Sequence, residues 1–332
     1  VSAAVIAATL VIAFATSLFT TPYVRRLALS VGMLDATGER RMHDVPKPRI
    51  GGIAVYLGFL LSLFAALGYL IAQHAFGNIS YVHDTIGLLF GGTLIMLVGV
   101  WDDIMGLSPR GKLLAQIVVA GISMLYGFTI SFVQIPWSHG GIFYLPTWLS
   151  LLVTLVWYVG MMNAINFIDG LDGLLSGLTA ISGMFLLVIN LTHGHPEVAL
   201  LLAALVGGAL GFLPYNYNPA KIILGDTGAL FIGYVFATVS ILGGSKQAFT
   251  ISFLVPLVLL GLPIVDTAAA IFRRARAGKK IYEADRGHFH HQLIFRFGLN
   301  VRQAVLLIYA LCIVLGVVAL AVSGGIGAFH SA

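Results

Sequence analysis

Charged side chains are scarce in this sequence, at 9% of 332 residues, where an ordinary soluble domain carries roughly 25%. A water-soluble body of this size needs a charged surface, so the shortage excludes water as the main solvent and leaves lipid. Apolar residues fill 59% of the chain. Cysteine is nearly absent. Cys312 stands alone in an apolar run, which excludes a disulfide framework and a cysteine-built metal site. Acids are few as well, 13 against 18 Lys and Arg, for a net charge of +5. In a soluble protein that excess would suggest nucleic acid. Here the cations border apolar runs, and membrane orientation accounts for them with no nucleic-acid partner.

A bilayer span needs about 20 mainly apolar residues. Runs meeting that test lie near 1–22, 51–73, 85–101, 112–129, 148–165, 174–192, 198–216, 228–244, 249–272 and 302–323. The first has no basic leader or cleavage site and is followed at once by Arg25 and Arg26, so it reads as a span rather than a signal peptide. The chain begins without Met, and a few preceding residues are expected. On a ten-span count, every Lys and Arg except Lys246 falls in or beside an odd-numbered loop. The positive-inside rule then places those loops in the cytoplasm and both termini outside. The outer stretch 130–145 alternates around Gly140-Gly141 and predicts a small periplasmic β-hairpin. The expected architecture is an all-α polytopic membrane protein of about ten transmembrane helices, a single domain over 1–332 in contact with the lipid bilayer.

All acids but Asp84 and Glu197 also fall on the cytoplasmic side or at its membrane edge. An acid set between apolar spans is costly and implies function. Asp102 and Asp103 end the third span. Neighbours on a helix do not share a face, so the two carboxylates are expected to have different jobs. Asn163, Asn166, Asp169 and Asp172, with Gly170 and Gly173, form a tight polar loop before the sixth span. That loop offers carboxylates to N–H groups and backbone donors to an anion. Asn216 and Lys221 lead into Gly225, Asp226, Thr227 and Gly228, where Asp226 could serve as a helix cap or as something more. His288, His290 and His291 lie on a loop rich in Arg and Lys. Phosphate binding explains them better than zinc, which has no cysteine nearby. Together the clusters supply carboxylates for a divalent cation and cations for phosphates. Mg²⁺ typically takes one or two protein carboxylates plus substrate phosphates. The composite predicts phosphoryl transfer between a soluble phosphate donor and a lipid.

Taken jointly, the Asp102–Asp103 pair, the Asn-x-x-Asp-Gly-x-Asp-Gly run from Asn166 to Gly173, the Gly-Asp-Thr-Gly run at 225–228, His288-x-His290-His291 and the early 46–52 segment resemble the polyprenyl-phosphate N-acetylhexosamine-1-phosphate transferase family over nearly the whole chain. The resemblance implies transfer of a sugar 1-phosphate from a UDP-sugar to undecaprenyl phosphate, with release of UMP. It also implies Mg²⁺, with Mn²⁺ as a substitute, in the bacterial inner membrane with the active site on the cytoplasmic face, and it leaves room for a homodimer. The branch that makes lipid I from UDP-MurNAc-pentapeptide carries Pro-Thr-Met-Gly-Gly early and three consecutive histidines late. This chain has Pro48-Arg49-Ile50-Gly51-Gly52, and Phe289 between His288 and His290. It is more similar to the WecA/TagO branch, which uses UDP-GlcNAc, although many members of that branch have an eleventh span.

Carried over by resemblance, Asp226 is the Mg²⁺ ligand, while Asn166, Asp169 and Asp172 belong to the nucleotide-side loop. Asn216 is a polar contact near the metal. Lys47, Arg49 and Lys112 bind phosphate, as do His288, His290 and His291. Asp102 and Asp103 activate or position the lipid phosphate. A phosphate monoester has its second pKa near 6, so the nucleophile is largely ionised and one direct attack on the β-phosphorus is expected. A covalent aspartyl-phosphate route stays open. A secondary transporter is disfavoured, because the acids sit at span ends and no repeat is visible.

Overall fold

The computed structural model describes residues 1–35, 46–73, 79–134, 142–244, 261–276 and 289–330. Their helices, in chain order, are α1 (Ala3–Val31), α2 (Gly52–Ala72), α3 (Ile79–Met105), α4 (Pro109–Leu125), α5 (Thr147–Ile168), α6 (Leu174–Thr192), α7 (Pro196–Asn216), α8 (Gly225–Gly244), α9 (Gly261–Arg276), α10 (Phe289–Phe295) and α11 (Val301–His330). Two short antiparallel pairs accompany them, β1 (Leu34–Asp35) with β2 (Lys47–Pro48), and β3 (Phe132–Gln134) with β4 (Ile142–Tyr144). The polytopic membrane character expected from composition is present. Eight of the described helices are long and apolar enough to cross a bilayer, rather than the expected ten.

The two differences have separate origins. The fourth expected span, 112–129, is helical only to Leu125, and α4 has 17 residues. At 1.5 Å per residue it is about 25 Å long, at the lower end of the range of about 17–25 residues that cross a bilayer. Its apolar run continues, but Gly127 takes a left-handed conformation at φ 86° and turns the chain out. Ile130 is then held by its N–H donating to Thr154 Oγ1 at 2.9 Å, and the chain enters β3. The ninth expected span, 249–272, falls largely outside the described residues, which begin again at α9. Elsewhere the helices outrun their apolar cores. α1 continues through Arg25 and Arg26 until Gly32 closes it at φ 75°, and α3 carries Asp102 and Asp103 inside its last turn.

Two helices form the centre. Nearly every residue of α7 from Val198 to Ala209 is buried, and α8 is buried along almost its whole length. Helices apolar all round belong in the interior, and small residues bring their backbones close. A Cβ on Gly207 would lie 2.3 Å from Leu10 O, and one on Gly211 would lie 2.3 Å from Phe14 O, so α1 rests directly on α7. Gly233 does the same for α8 against Met161 and Met162 of α5. The tightest approach of backbone to backbone is at Gly52, the first residue of α2, where a Cβ would stand 2.1 Å from Gly228 N. Backbone on both sides leaves no room to give. Gly52→Ala is therefore expected to cost about 1–3 kcal/mol by overpacking. It should lower the thermal midpoint in detergent and depress activity together, whereas an unchanged midpoint would show that α2 can move away.

Candidate active site at the ends of the spans

The short segment before α2 is stitched to the start of α8. Ile223 N donates to Pro48 O at 3.0 Å, Gly51 N to Ile223 O at 3.0 Å, and Gly52 N to Leu224 O at 2.9 Å. Between these ties Ile50, buried, adopts φ 70°, which is unusual for a β-branched residue. Such strain costs of order 1–3 kcal/mol and persists where surrounding contacts over-determine it. The result is that Arg49 is aimed at the acids. Its guanidinium lies 3.1 Å from Asp103 Oδ1 and 3.6 Å from Asp226 Oδ2.

Asp102 and Asp103 diverge, as adjacent helical residues must. Asp102 Oδ1 accepts from Leu107 N at 2.7 Å, closing the end of α3, and its Oδ2 meets Lys112 Nζ at 2.9 Å. Asp103 turns to α8 instead. It accepts from Asp226 N at 3.0 Å, Thr227 N at 3.0 Å and Thr227 Oγ1 at 2.6 Å. The first N–H groups of α8 are thus capped by a carboxylate from α3, not by the side chain of Asp226. Gly225, at φ 71°, makes room for it, since a Cβ there would sit 2.4 Å from Asp103 Oδ2. Relieved of capping, the Asp226 carboxylate is free to meet cations. Lys112 Nζ reaches its Oδ1 at 2.7 Å, and Asn166 Nδ2 donates to the same oxygen.

The loop after α5 closes the other side. Asp172 Oδ2 accepts from Lys47 Nζ at 2.7 Å, Ala220 N at 2.9 Å and Asn218 Nδ2 at 3.1 Å. Asn216 acts as a brace: its Oδ1 accepts from Gly173 N at 3.2 Å and Ser176 Oγ at 2.6 Å, and its Nδ2 donates to Ile222 O at 3.1 Å. It ties the Asp loop to the irregular segment before α8 and holds the site's shape. Burial first, then the carboxylates of Asp226 and Asp103, push Asp169 up to about 8, so it holds a proton at neutral pH. A positive ligand arriving beside it would draw that proton off.

Residues 47, 49, 102, 103, 112, 166, 169, 172 and 226 therefore come from six segments to one place. Asn216 stands behind them. The structure places His290 and His291 in α10 by their backbones, and His288 lies outside the described residues. Sequence reasoning missed Thr227, whose hydroxyl completes the Asp103 cap, although it sits inside the Gly-Asp-Thr-Gly run. It also missed the Gln116–Asn163 pair, in which Asn163 Nδ2 donates to Gln116 Oε1 at 2.7 Å and joins α4 to α5 one turn before Asn166. A glutamine within an apolar helix was the available signal.

Comparison with known proteins places the chain in a family. Residues 85–244, which include both Asp pairs and the start of α8, match the model of glycosyl transferase family 4. The chain is 36% identical over 304 residues to a "Probable undecaprenyl-phosphate N-acetylglucosaminyl 1-phosphate transferase" of Bacillus subtilis, covering 90% of this chain and 81% of the relative. It is 34% identical to a "Decaprenyl-phosphate N-acetylglucosaminephosphotransferase" of Mycolicibacterium smegmatis, covering 88% and 75%. A "Phospho-N-acetylmuramoyl-pentapeptide-transferase" of Limosilactobacillus reuteri is 34% identical over a shorter stretch, 71% of this chain and 74% of the relative. With that likeness over most of its length, the chain belongs to the polyprenyl-phosphate N-acetylhexosamine-1-phosphate transferase family.

Proposed function

We propose that this protein transfers GlcNAc-1-phosphate from UDP-GlcNAc to undecaprenyl phosphate, forming undecaprenyl-diphospho-GlcNAc and releasing UMP. The observation that carries this reading is the alternation of Lys47, Arg49 and Lys112 with Asp172, Asp103, Asp102 and Asp226 at the ends of apolar helices. Carboxylates alone would suit a cation and cations alone an anion. Interleaved, they suit a phosphate ester that arrives with a divalent cation, beside helices that can hold a lipid tail. The excess of Lys and Arg on this side supports a cytoplasmic face in a bacterial inner membrane, with the β3–β4 pair on the periplasmic side.

The donor set fits Mg²⁺. Asp226 would hold it, with Asp169 and the Asn166 carbonyl as neighbouring hard oxygens. Among the described residues no three His, Cys, Asp or Glu converge as a protein-only metal cage. That suits an ion that normally takes one or two carboxylates and completes its shell with phosphates and water. When bound, it would neutralise charge on the donor's diphosphate.

The rest of the chemistry belongs to the chain. One oxygen of the lipid phosphate attacks the β-phosphorus, a new P–O–P bond forms, and the bond to the α-phosphate oxygen breaks with UMP as leaving group. The nucleophile is ionised near pH 7, so no strong base is required. Catalysis then rests on alignment and on charge stabilisation. Lys112, lying between Asp102 and Asp226, is placed to pass to a phosphate oxygen as negative charge gathers on the leaving group. Arg49 and Lys47 hold the diphosphate from the other side. Asp102 keeps Lys112 in position by its charge.

The donor is tested with purified protein, undecaprenyl phosphate and Mg²⁺, following UMP from a panel of UDP-sugars. UDP-GlcNAc is expected to turn over, and UDP-MurNAc-pentapeptide at least about a hundredfold more slowly, since a site built for one polar ligand rejects a poor match by that order. The reverse ranking would move the chain to the lipid I branch. Alanine at His290 or His291 is expected to lower kcat/KM for UDP-GlcNAc roughly tenfold, the order of one charge-assisted hydrogen bond.

A further inference from the structure

Asp266 has no part in the chemistry above, yet it is an acid buried on an amphipathic helix, α9, whose basic residues lie at its far end. A carboxylate in such a place is expensive and normally has a specific partner. Its Oδ1 accepts from Phe289 N at 2.9 Å, across 23 positions of sequence. Phe289 is the first residue of α10, and His290 and His291 are the next two. The leading N–H groups of a helix lack partners within it and are met by a side-chain oxygen, usually from the residue just before. Here the oxygen comes from a different helix, so the bond fixes the place of the α10 N-terminus as well as satisfying it. The charge has the favourable sign for that end of a helix.

α10 needs such an anchor. It has 7 residues, and isolated helices shorter than about 12–15 residues are marginal in water. Leu293 is buried, Phe289 and Ile294 lie against the same apolar core, and Gly298 ends the segment at φ 69°. Leu293, Ile294 and Gly298 hold the middle and far end, while the Phe289 ring and the Asp266 bond hold the near end, where the histidines are. α9 itself lies along α5, the helix that delivers Asn163, Asn166 and Asp169 to the site. One rigid connection therefore runs from the Asp loop through α5 and α9 to the backbone of His290 and His291.

We propose that Asp266 is a positioning residue for the sugar-nucleotide donor, acting by setting the His290–His291 helix relative to the Asp169–Asp172 loop. This rests on the reading of those histidines as donor contacts, and the test separates the two. In the full-length protein, Asp266→Ala is expected to raise KM for UDP-GlcNAc roughly tenfold, the order set by loss of one helix cap. KM for undecaprenyl phosphate should stay within about twofold, below the error band of such arithmetic. Hydrogen exchange in the peptide spanning 289–295 should quicken. Asp266→Asn keeps an acceptor oxygen, and Asn caps about as well as Asp, so it should restore most of the donor affinity even if the alanine variant folds poorly. A double-mutant cycle with His290→Ala and His291→Ala should be less than additive. Full effects of the histidine variants beside normal donor KM in Asp266→Ala would overturn the positioning role and spare the histidine reading. Normal donor KM in the histidine variants would overturn both. Equal damage from Asp266→Asn and Asp266→Ala, spread over both substrates, would reduce Asp266 to a general folding element and overturn the proposal.

Discussion

Asp226→Asn should lower kcat by at least about a hundredfold to a thousandfold, the order seen when one preorganised charge-stabilising group is lost, while the protein inserts and folds normally. The substitution preserves volume, and it preserves the backbone N–H that Asp103 receives at 3.0 Å. An amide oxygen can still accept from Lys112 and Asn166, both of which meet Oδ1. What disappears is the negative charge between Lys112 and Arg49, and with it the charge a divalent ion would meet. The competing account makes Asp226 an N-cap of α8 and nothing more. The structure assigns that task to Asp103, so a capping loss is not the expected phenotype. The decisive comparison is kcat at saturating Mg²⁺ beside the thermal midpoint in the same detergent. Turnover within tenfold of the parent, or a midpoint that collapses with activity, would return Asp226 to a structural role.

The acids that gather at the candidate site were legible in sequence because they stand where the composition disfavours them. In a chain with so little charge, each acid at a span end stands out, and Asp102, Asp103, Asp169, Asp172 and Asp226 were all found that way. The divergence of Asp102 and Asp103 also followed from helical spacing alone. Their partners did not. Lys47 and Asp172 are 125 positions apart, and Asp103 and Thr227 are 124 apart, distances over which local pattern says nothing. The Pro48–Gly52 segment shows the same limit. Its glycines and prolines announce a special conformation, but the ladder to Ile223 and Leu224 exists only once α2 and α8 meet at Gly52 and Gly228. α4 is shorter than its apolar run because hydropathy follows apolar character and not backbone direction. The residues after Leu125 remain apolar, while the left-handed Gly127 takes the chain out of the helix. Asp266 escaped attention because it looks like one more acid near a membrane edge, and its partner is a backbone N–H that sequence does not reveal.

Asp103 and Asp102 should part company in a way that tests the whole arrangement. The Asp103 side chain is fully enclosed, at 0% exposure, and serves Asp226 N, Thr227 N, Thr227 Oγ1 and Arg49 at once. Asp103→Ala leaves two helix N–H groups and a hydroxyl short of an acceptor and takes from the half-buried Arg49 guanidinium the nearer of its two carboxylates. Removing one partner of a buried ion pair costs about 3–5 kcal/mol, so the variant should melt well below the parent and lose turnover as the start of α8 shifts. Asp103→Asn should fall between, because its amide must turn an N–H toward one of those donors. Asp102 has lighter duties. Asp102→Asn retains an acceptor for Leu107 N, which now sits at 2.7 Å from Oδ1, and gives up only the charge facing Lys112. Its midpoint should fall less than that of Asp103→Ala, because Lys112 keeps Asp226 Oδ1 as a partner at 2.7 Å. Its kcat should nevertheless fall, since Lys112 loses the counter-charge that holds it between Asp102 and Asp226. Measuring midpoint and kcat for the three variants side by side separates the roles. Equal midpoint losses for Asp102→Asn and Asp103→Ala would mean that the two carboxylates share one structural task, and the division drawn from their hydrogen bonds would fail.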